Sequence, residues 1–217
     1  MKSKKQIFFE LRCAFSTKEF NHKAFISEGE NRVLQFTEGF KSFFKLFDKS
    51  VDSYEDVYIV DNTIKDKNEI DKRILDVIPD GVNFIFANVN NHGKNNKGAG
   101  DIEGWNYNKE LISKYKYIFH HEPRQILLNF NLYESFLEHR TNVFCNNNHE
   151  QFWTGTWGME TKLLMEYLNF RSAESLSKGS ICIENDLYDF FKNKKYKTVE
   201  KVGVLWHDAF TGKDWKY

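Results

Sequence analysis

The run His120-His121-Glu122-Pro123-Arg124 combines two imidazoles, a carboxylate and a guanidinium directly after the apolar, strand-like stretch 115–119. In an extended chain successive side chains alternate between faces, so His120 and Glu122 face one way and His121 the other. Carboxylate oxygen and imidazole nitrogen suit Mg²⁺ or Mn²⁺. The run therefore predicts a metal site with Arg124 as an anion contact beside it. A buried His–Glu pair closed by Arg124 is the competing interpretation.

A second group of residues with phosphate-binding chemistry lies in the Asn- and Gly-rich segment 88–104. Lys97 supplies a positive charge, and Gly98, Ala99 and Gly100 leave the backbone accessible. Backbone N–H groups at such a helix start can hold a phosphate. The segment is neither a Walker loop nor a G-x-G-x-x-G fingerprint, so a surface loop without function is the alternative. Its place between two strand-like runs favours a phosphate site.

The second half of the chain carries candidate acid–base residues. Glu184 and Asp186 lie where the pattern predicts a strand-to-helix junction. A carboxylate there could take a proton from an acceptor hydroxyl, although acidic residues also favour the first turn of any helix. His207 ends a later strand-like run and has the chemistry of a metal ligand. A histidine in that position is more often an ordinary core or surface residue.

Two further groups suit nucleoside and sugar rings. Asp61 and Asn62 end the apolar run 57–60, where they could bind a base or ribose or could simply cap a turn. A later aromatic and hydroxyl cluster offers indole faces for a sugar ring, with core packing as the alternative. That cluster consists of Trp153, Thr154, Gly155, Thr156 and Trp157.

Apolar periodicity predicts the elements that position these residues. The predicted strands are 6–15, 57–60, 82–87, 115–119, 142–145, 180–183 and 199–205. The predicted helices are 33–47, 70–78, 109–113, 126–139 and 161–170, and segment 88–104 is predicted to be a loop. Alternating strands and helices indicate an α/β fold with a mostly parallel, Rossmann-like central sheet flanked by helices.

Composition limits the classes of function. The chain has 217 residues, which suit one domain, and its 31 Lys and Arg balance its 31 Asp and Glu. The balance argues against a nucleic-acid binder that relies on bulk charge. The three cysteines have no C-x-x-C spacing, so we expect reduced core thiols. Charged residues interrupt the first apolar run, which predicts a cytoplasmic protein without a membrane span; peripheral membrane contact stays open.

In order along the chain, these features resemble the nucleotide-sugar glycosyltransferases of the GT-A fold. The features are a strand ending in Asp61, the Lys-Gly-Ala-Gly loop from Lys97, the motif at His120, the acidic junction at Glu184 and the strand ending in His207. The usual metal motif of that fold is Asp-x-Asp, and His120-His121-Glu122 stands in its place here. The compact size is similar to bacterial and large-DNA-virus members.

The resemblance implies one GT-A-like domain over 1–217, with a nucleotide-binding half at 1–119 and a metal and acceptor half at 120–217. It implies a nucleotide-sugar donor, a UDP-sugar first, and a glycan or other hydroxyl acceptor, as in polysaccharide biosynthesis. Mn²⁺ or Mg²⁺ would be held by His120, Glu122 and His207. The donor would contact Phe15, Ser16, Asp61, Asn62, Lys97, Gly98, Ala99, Gly100 and Arg124. The acceptor would face the cluster from Trp153 to Trp157, and Glu184 or Asp186 would be the base of an inverting enzyme.

Three other functions stay open on the sequence. A non-catalytic GT-A-like module would bind sugar or protein without turnover, and the missing Asp-x-Asp favours it. A nucleotidyltransferase would normally carry a Gly-rich, Arg-containing loop after its first strand, whereas residues 15–18 are Phe-Ser-Thr-Lys. A metallohydrolase would use the histidines, but their spacing lacks a helix-borne pair.

Overall fold

The computed structural model describes residues 5–21, 29–48, 54–146, 150–207 and 214–216, with the backbone alone at 5, 146, 206, 207, 214 and 215. The strands are β1 (Lys5–Cys13), β2 (Val57–Asp61), β3 (Asn83–Phe86), β4 (Tyr115–His121), β5 (Ile126–Leu127), β6 (Asn142–Asn146), β7 (Phe152–Glu160), β8 (Tyr196–Val199), β9 (Val204–His207) and β10 (Asp214–Lys216). The helices are α1 (Gly29–Phe47), α2 (Lys72–Leu75), α3 (Lys97–Tyr107), α4 (Lys109–Ile112), α5 (Asn131–His139), α6 (Thr161–Phe170), α7 (Ala173–Lys178) and α8 (Ile183–Phe191). A short 3-10 turn covers Lys67–Glu69.

Seven strands form the central sheet, in the order β3-β2-β1-β4-β7-β6-β8. β1 pairs in parallel with β2 and β4, β2 with β3, and β6 with β8, while β7 runs antiparallel to both neighbours. A small antiparallel sheet has the order β10-β9-β5. The α/β architecture with a mostly parallel sheet is the one that the sequence predicts.

Helices cover both faces of the sheet, and each face has its own apolar core. The first core contains the Phe-rich face of α1 with residues of α2 and α5, including Phe36, Phe40 and Phe43. The second contains residues of α3, α4, α6, α7 and α8, including Trp105 and Trp157. The i, i+3, i+4 spacing of apolar residues in α1 places one whole stripe against the sheet.

The strand order also fixes where ligands can bind. β1 and β2 leave the sheet at Cys13 and Asp61, and β4 leaves the same edge at His121, because all three run in parallel. The chain order reverses between β1 and β4, and open α/β sheets bind ligands in the crevice at such a reversal. No helix in the described parts of the chain is long and apolar enough to cross a membrane.

The prediction of a loop over 88–104 is wrong from Lys97 onward, where α3 begins. The Asn96 side chain accepts a hydrogen bond from the Ala99 N–H and caps the helix, 3.1 Å between the atoms. A Cβ at Gly98 would lie 2.5 Å from the Cβ of Ile183 on α8. The glycines that lower helix propensity here permit close helix packing, which outweighs that propensity.

Other helices and strands have bounds that differ from the predicted ones, because contacts between distant segments determine where these elements begin and end. The predicted helix 126–139 is β5 followed by α5, since Ile126 and Leu127 pair with β9. The predicted strand 180–183 is irregular up to the start of α8. Of the predicted strand 199–205, residue 199 ends β8, residues 204 and 205 begin β9, and residues 200–203 connect the two strands. The helix predicted over 70–78 is shorter, with α2 at its centre. Cys13 and Cys145 are buried free thiols as expected, but Cys182 is exposed.

Candidate active site

A pocket lies at the carboxyl edge between β1 and β4, at the reversal of strand order. It encloses about 460 Å³, including open solvent at its mouth. Four cationic side chains line it, Arg12, Arg32, Lys97 and Arg124, together with the carboxylates Asp101 and Glu122. The remaining lining residues are Cys13, Ala14, Phe20, Phe36, Asn62, Asn90 and Gly100. The excess of positive charge suits an anionic ligand.

Glu122 is the centre of the charged wall. Its Oε1 accepts a hydrogen bond from Lys97 Nζ at 2.8 Å, and its Oε2 accepts one from Arg124 Nε at 3.1 Å. Burial opposes ionisation of Glu122, but Lys97 and Arg124 outweigh it and hold the pKa of this carboxyl well below its usual value. The Lys97 side chain is 45% exposed and that of Arg124 13%. Two cations therefore stand at the pocket with one shared counter-charge.

Arg12 forms the floor of the pocket. Its Nε donates to Asp101 Oδ1 at 3.0 Å, and one terminal nitrogen donates to Asn62 Oδ1 and to the Gly100 carbonyl, both at 2.9 Å. Burial lowers the pKa of Arg12, but the charges of Asp101 and Glu10 and the hydrogen bond to Asp101 together outweigh it, so the pKa is raised. Because Gly100 and Asp101 belong to the first turns of α3, Arg12 fixes that helix start, with Lys97, against β1.

Arg32 approaches the pocket from α1. Its guanidinium donates to the Ala14 carbonyl, directly after β1. Burial, and then the charge of Arg124, lower the pKa of Arg32 to about 10. The Arg32 and Arg124 guanidinium groups line the same pocket, and like charges in one pocket repel each other. An anion bound between them would relieve that repulsion.

His120 and His121 point to opposite faces of β4, as predicted. His120 is 2% exposed; its Nδ1 lies 2.6 Å from Glu10 Oε2, and its ring stacks on Trp157 at 4.8 Å between centroids. His121 lies in the other core, stacked on Phe43 at 5.6 Å. The buried His–carboxylate pair of the competing interpretation is thus present, but its carboxylate comes from β1 and not from position 122.

The predicted metal ligands do not form a metal site in the described residues, where no group of three or more His, Cys, Asp or Glu side chains could hold an ion. His120 turns its Nδ1 to Glu10, while both oxygens of Glu122 accept bonds from cations. The side chain of His207 lies outside the described residues. A divalent cation at Glu122 would meet an ammonium and a guanidinium in its coordination shell. The donor set seen here does not fit a metal.

Asp61 and Asn62 both have structural partners. Asp61 accepts hydrogen bonds from the backbone N–H groups of Phe15, Thr63 and Ile64, and burial raises its pKa. The Asn62 side chain accepts a hydrogen bond from Arg12 and donates to the carbonyls of Val89 and Gly100. Asp61 therefore fixes the loop after β1 and shapes the groove in which Phe15 lies.

That groove lies along the loop after β1 and encloses about 1270 Å³, open solvent included. It shares Phe20, Arg32 and Phe36 with the first pocket. Phe15 and Ser16, for which the resemblance implies contact with the donor, line this groove. Aromatic and hydroxyl groups thus lie beside a cationic pocket at one sheet edge.

Helices α3 and α8 begin side by side. The Asn96 side chain, besides capping α3, donates to the carbonyls of Leu176 and Ile181, at 3.3 and 3.0 Å. Gly98 packs on Ile183 without room for a Cβ. Ala99 and Gly100 are buried within the first turn of α3, so among residues 97–100 only Lys97 brings a functional side chain to the pocket.

Glu184 and Asp186 have different surroundings although they lie on one helix. Glu184 is partly buried and accepts hydrogen bonds from the Thr154 hydroxyl at 3.1 Å and from the Cys182 thiol at 2.7 Å. Asp186 is 3% exposed at the contact with α6, where it accepts from Tyr167 at 2.8 Å and from Arg171 at 3.0 Å. Glu184 thus bonds a residue of β7, whereas the bonds of Asp186 go to Tyr167 and Arg171.

β7 has a bulge beside the end of β4. Val143 of β6 pairs with Gly158 and Cys145 with Trp153, so extra residues of β7 lie between the two pairs. Trp153 and Trp157 consequently pack in opposite cores. Within the bulge the Gly155 carbonyl accepts a hydrogen bond from the Glu122 N–H at 2.9 Å. Thr156 donates to the same carbonyl. The bulge therefore joins the end of β4 to Glu184 through Thr154.

Several residues of this site were missed from the sequence. Arg12 and Glu10 lie in the first predicted strand. Their alternation with Phe9 and Leu11 places both charged side chains on one face of that strand, which is the pattern that could have identified them. Arg32 and Asp101 gave no such signal, because their partners come from distant segments. Asn96 could have been identified as a helix cap.

No protein-family model matches the chain, and no curated protein matches it. Two solved structures are similar in fold. The 4-diphosphocytidyl-2C-methyl-D-erythritol synthase of Anaerococcus prevotii DSM 20548 has a TM-score of 0.53 at 15% identity, covering 90% of this chain and 86% of that one. A cytidylyltransferase of Leptospira borgpetersenii serovar Hardjo-bovis has a TM-score of 0.52 at 10% identity, covering 90% and 76%. The chain thus shares the Rossmann-like α/β fold of these structures.

Proposed function

We propose that this protein is a glycosyltransferase, which moves a sugar from a nucleotide-diphosphate donor to a hydroxyl group of a glycan or another acceptor. One observation carries the proposal. A cationic pocket at the carboxyl edge of a nucleotide-binding fold is joined, through the bulge of β7, to the carboxylate of Glu184 on a second helix start. The pocket suits a diphosphate, and the carboxylate suits the hydroxyl that attacks the sugar.

The donor diphosphate would lie between Lys97, Arg124 and Arg32. These side chains reach the pocket from α3, from the segment after β4 and from α1, so they surround a ligand on three sides. Cations placed where negative charge grows stabilise a leaving group. The nucleoside would extend into the groove beside Phe15 and Ser16, which shares the lining residues Phe20, Arg32 and Phe36 with the pocket.

The acceptor would approach from the side of β7, near Thr154 and Gly155. As the acceptor oxygen forms its bond to the anomeric carbon, the bond from that carbon to the phosphate oxygen breaks, and the nucleoside diphosphate leaves with the electron pair. Glu184 takes the hydroxyl proton in this step. The Thr154 hydroxyl orients the carboxylate from a strand that is fixed to the end of β4.

Glu184 is favoured over Asp186 as the base because of the partners of each carboxylate. Both oxygens of Asp186 accept hydrogen bonds from Arg171, and Tyr167 adds another, within a helix–helix contact. A proton acceptor must reach the substrate hydroxyl. Asp186 instead holds α8 against α6 and thereby supports the position of Glu184.

A nucleotidyltransferase is the second candidate, and the similarity in fold to the 4-diphosphocytidyl-2C-methyl-D-erythritol synthase and the cytidylyltransferase favours it. Such an enzyme would use a nucleoside triphosphate and release pyrophosphate. The loop after β1 argues for sugar transfer, because residues 15–18 lack a Gly-rich, Arg-containing run. A non-catalytic module is the third reading. The products distinguish all three.

The first experiment measures the thermal midpoint of the purified chain with UDP-, GDP-, CDP- and dTDP-glucose, each with Mn²⁺ and with EDTA, and with CTP and UTP. A ligand of the native state raises the midpoint as its saturation rises. The effective donor is then incubated with the protein, and release of the nucleoside diphosphate is followed, water serving as a slow acceptor. We expect a nucleotide sugar to bind and to release its diphosphate.

Glu184→Gln tests the base, and Asp189→Asn on the same helix is its matched control. Asp189 is exposed and pairs with Lys192 at 2.9 Å. We expect Glu184→Gln to bind donor as the wild type does and to lose at least about a hundredfold in turnover, while the control keeps both. Pyrophosphate release from CTP or UTP would favour the nucleotidyltransferase. Donor binding without any turnover, with acceptor sugars supplied, would favour the module.

A further inference from the structure

The wall of the pocket at the end of β4 carries its own cations in the place where the resemblance implies a metal. Lys97 and Arg124 each hold one oxygen of Glu122, at 2.8 and 3.1 Å. Gln125 Nε2 lies 3.4 Å from the second oxygen. A carboxylate that binds a metal presents its lone pairs to the ion, whereas here those lone pairs face hydrogen-bond donors.

The net charge of the pocket lining also argues against a bound metal ion. Its lining contains four cationic side chains against two carboxylates. Asp101 is bonded to Arg12, which leaves Glu122 as the counter-charge of Lys97 and Arg124. A nucleotide sugar carries a negative charge on each of its two phosphates. The excess positive charge of the lining therefore balances a donor without an added ion.

Lys97 is also able to change partner. It is the first residue of α3, and its side chain is 45% exposed, so its ammonium group can move from Glu122 to a phosphate while the helix stays in place. The cap by Asn96 and the bonds from Arg12 fix the helix start itself. The flexible part is the lysine side chain alone.

We infer that Lys97 and Arg124 neutralise the donor diphosphate in place of a divalent cation, with Glu122 as the counter-charge that holds them until the donor arrives. The inference rests on the proposed function, since it concerns the same pocket. It predicts donor binding without metal. It also reverses the expected effect of changing Glu122: a metal ligand is needed for binding, whereas a competing negative charge weakens it.

The test measures donor affinity by titration calorimetry, using the nucleotide sugar with the largest midpoint shift, in EDTA and in Mn²⁺. We expect dissociation constants within about twofold of each other. Lys97→Met should weaken binding by about tenfold or more in both buffers, the effect of one charged hydrogen bond. Glu122→Gln should leave affinity unchanged or raise it by roughly threefold to tenfold, because one like charge is removed.

Lys109→Met is the matched control, because Lys109 begins α4, beyond the far end of α3, and its ammonium group donates to the exposed Asn169 side chain, outside the pocket lining. It should bind donor as the wild type does. Since Glu122→Gln alters a buried charge and could impair folding, Lys97→Met carries the test independently.

The outcomes separate the inference from the proposed function. Donor binding that requires Mn²⁺, or that folded Glu122→Gln loses, overturns the inference and leaves the glycosyltransferase proposal standing. Wild-type affinity in Lys97→Met also overturns it. If the wild type binds no nucleotide sugar in either buffer, the proposed function fails and the inference fails with it.

Discussion

Protonation of His121 should make this fold sensitive to mild acid. The Thr156 hydroxyl donates to the Gly155 carbonyl, so it accepts from His121 Nδ1, 2.8 Å away, and the ring is the neutral Nδ1–H form. His121 Nε2 is buried without a hydrogen-bond partner. A second proton would therefore create a buried cation. Burial, followed by the charge of His120, lowers the pKa of His121 to about 3.

The direction and the size of the change in the free energy of unfolding with pH follow from the difference between the His121 pKa values of the folded and unfolded chains. The folded-state pKa lies below the ordinary value of 6.5. Stability is therefore complete above that value and is lost as the pH falls towards about 3. At pH 5 the unfolded chain is protonated at this residue and the folded chain is not. The difference of about 1.5 units costs about 2 kcal/mol of the free energy of unfolding.

His121→Phe removes the titrating group and keeps a ring against Phe43. The larger ring costs about 1 kcal/mol by overpacking, equally at every pH, so it cancels in the pH difference. Urea denaturation at pH 7.5 and pH 5.0 measures that difference, and both values lie above the range where Glu122 becomes protonated. His139→Gln, at an exposed position of α5, is the control.

We expect the wild type and the His139→Gln control to lose about 2 kcal/mol more than His121→Phe does between the two pH values. Equal losses in His121→Phe and the wild type would refute the reasoning, because a buried neutral ring at position 121 would then not govern acid stability. A wild type with the same stability at both pH values would refute it as well.

Three further changes test the supports of the site. Asp186→Asn should lower the free energy of unfolding by about 2 kcal/mol, since it leaves Arg171 without its charge partner; unchanged urea midpoints would contradict this. Gly98→Ala should cost about 1–3 kcal/mol by forcing α3 from Ile183, and the same variant should bind donor more weakly in the midpoint assay. Arg12→Lys cannot reproduce the hydrogen bonds of the guanidinium to Asp101, Asn62 and the Gly100 carbonyl. We therefore expect the free energy of unfolding, measured by urea denaturation, to fall by about 2 kcal/mol. Wild-type stability in this variant would show that these hydrogen bonds are dispensable.

The fold was predictable where local pattern and tertiary packing agree. The Phe-rich stripe of α1 and the apolar run of β4 each bury one continuous surface, so periodicity identifies them. The first turn of α3 was not predictable in this way, because the contact with Ile183 that rewards Gly98 joins residues far apart in sequence. The same holds for β5, a strand of two residues defined by its partner β9.

The location of the candidate site was more predictable than the hydrogen-bond and ion-pair partners of its residues. Strand ends at Asp61 and His121 placed the pocket at the correct sheet edge. The partner of each charged group was not readable, since Lys97 bonds Glu122 and Arg12 bonds Asp101 across long sequence separations. A motif gives residue types and spacing along the chain, whereas the ionic state of a carboxylate depends on what packs against it.

The side chain of Asn96 makes the starts of α3 and α8 one mechanical unit, since it bonds the first turn of one helix and the segment that leads into the other. Local opening of either helix start must break the same amide bonds, so the two should open together. In hydrogen-exchange measurements, a donor held by Lys97 should then slow exchange around Glu184 as well. A substrate bound first at one end would order the other, which predicts sequential kinetics with the donor leading.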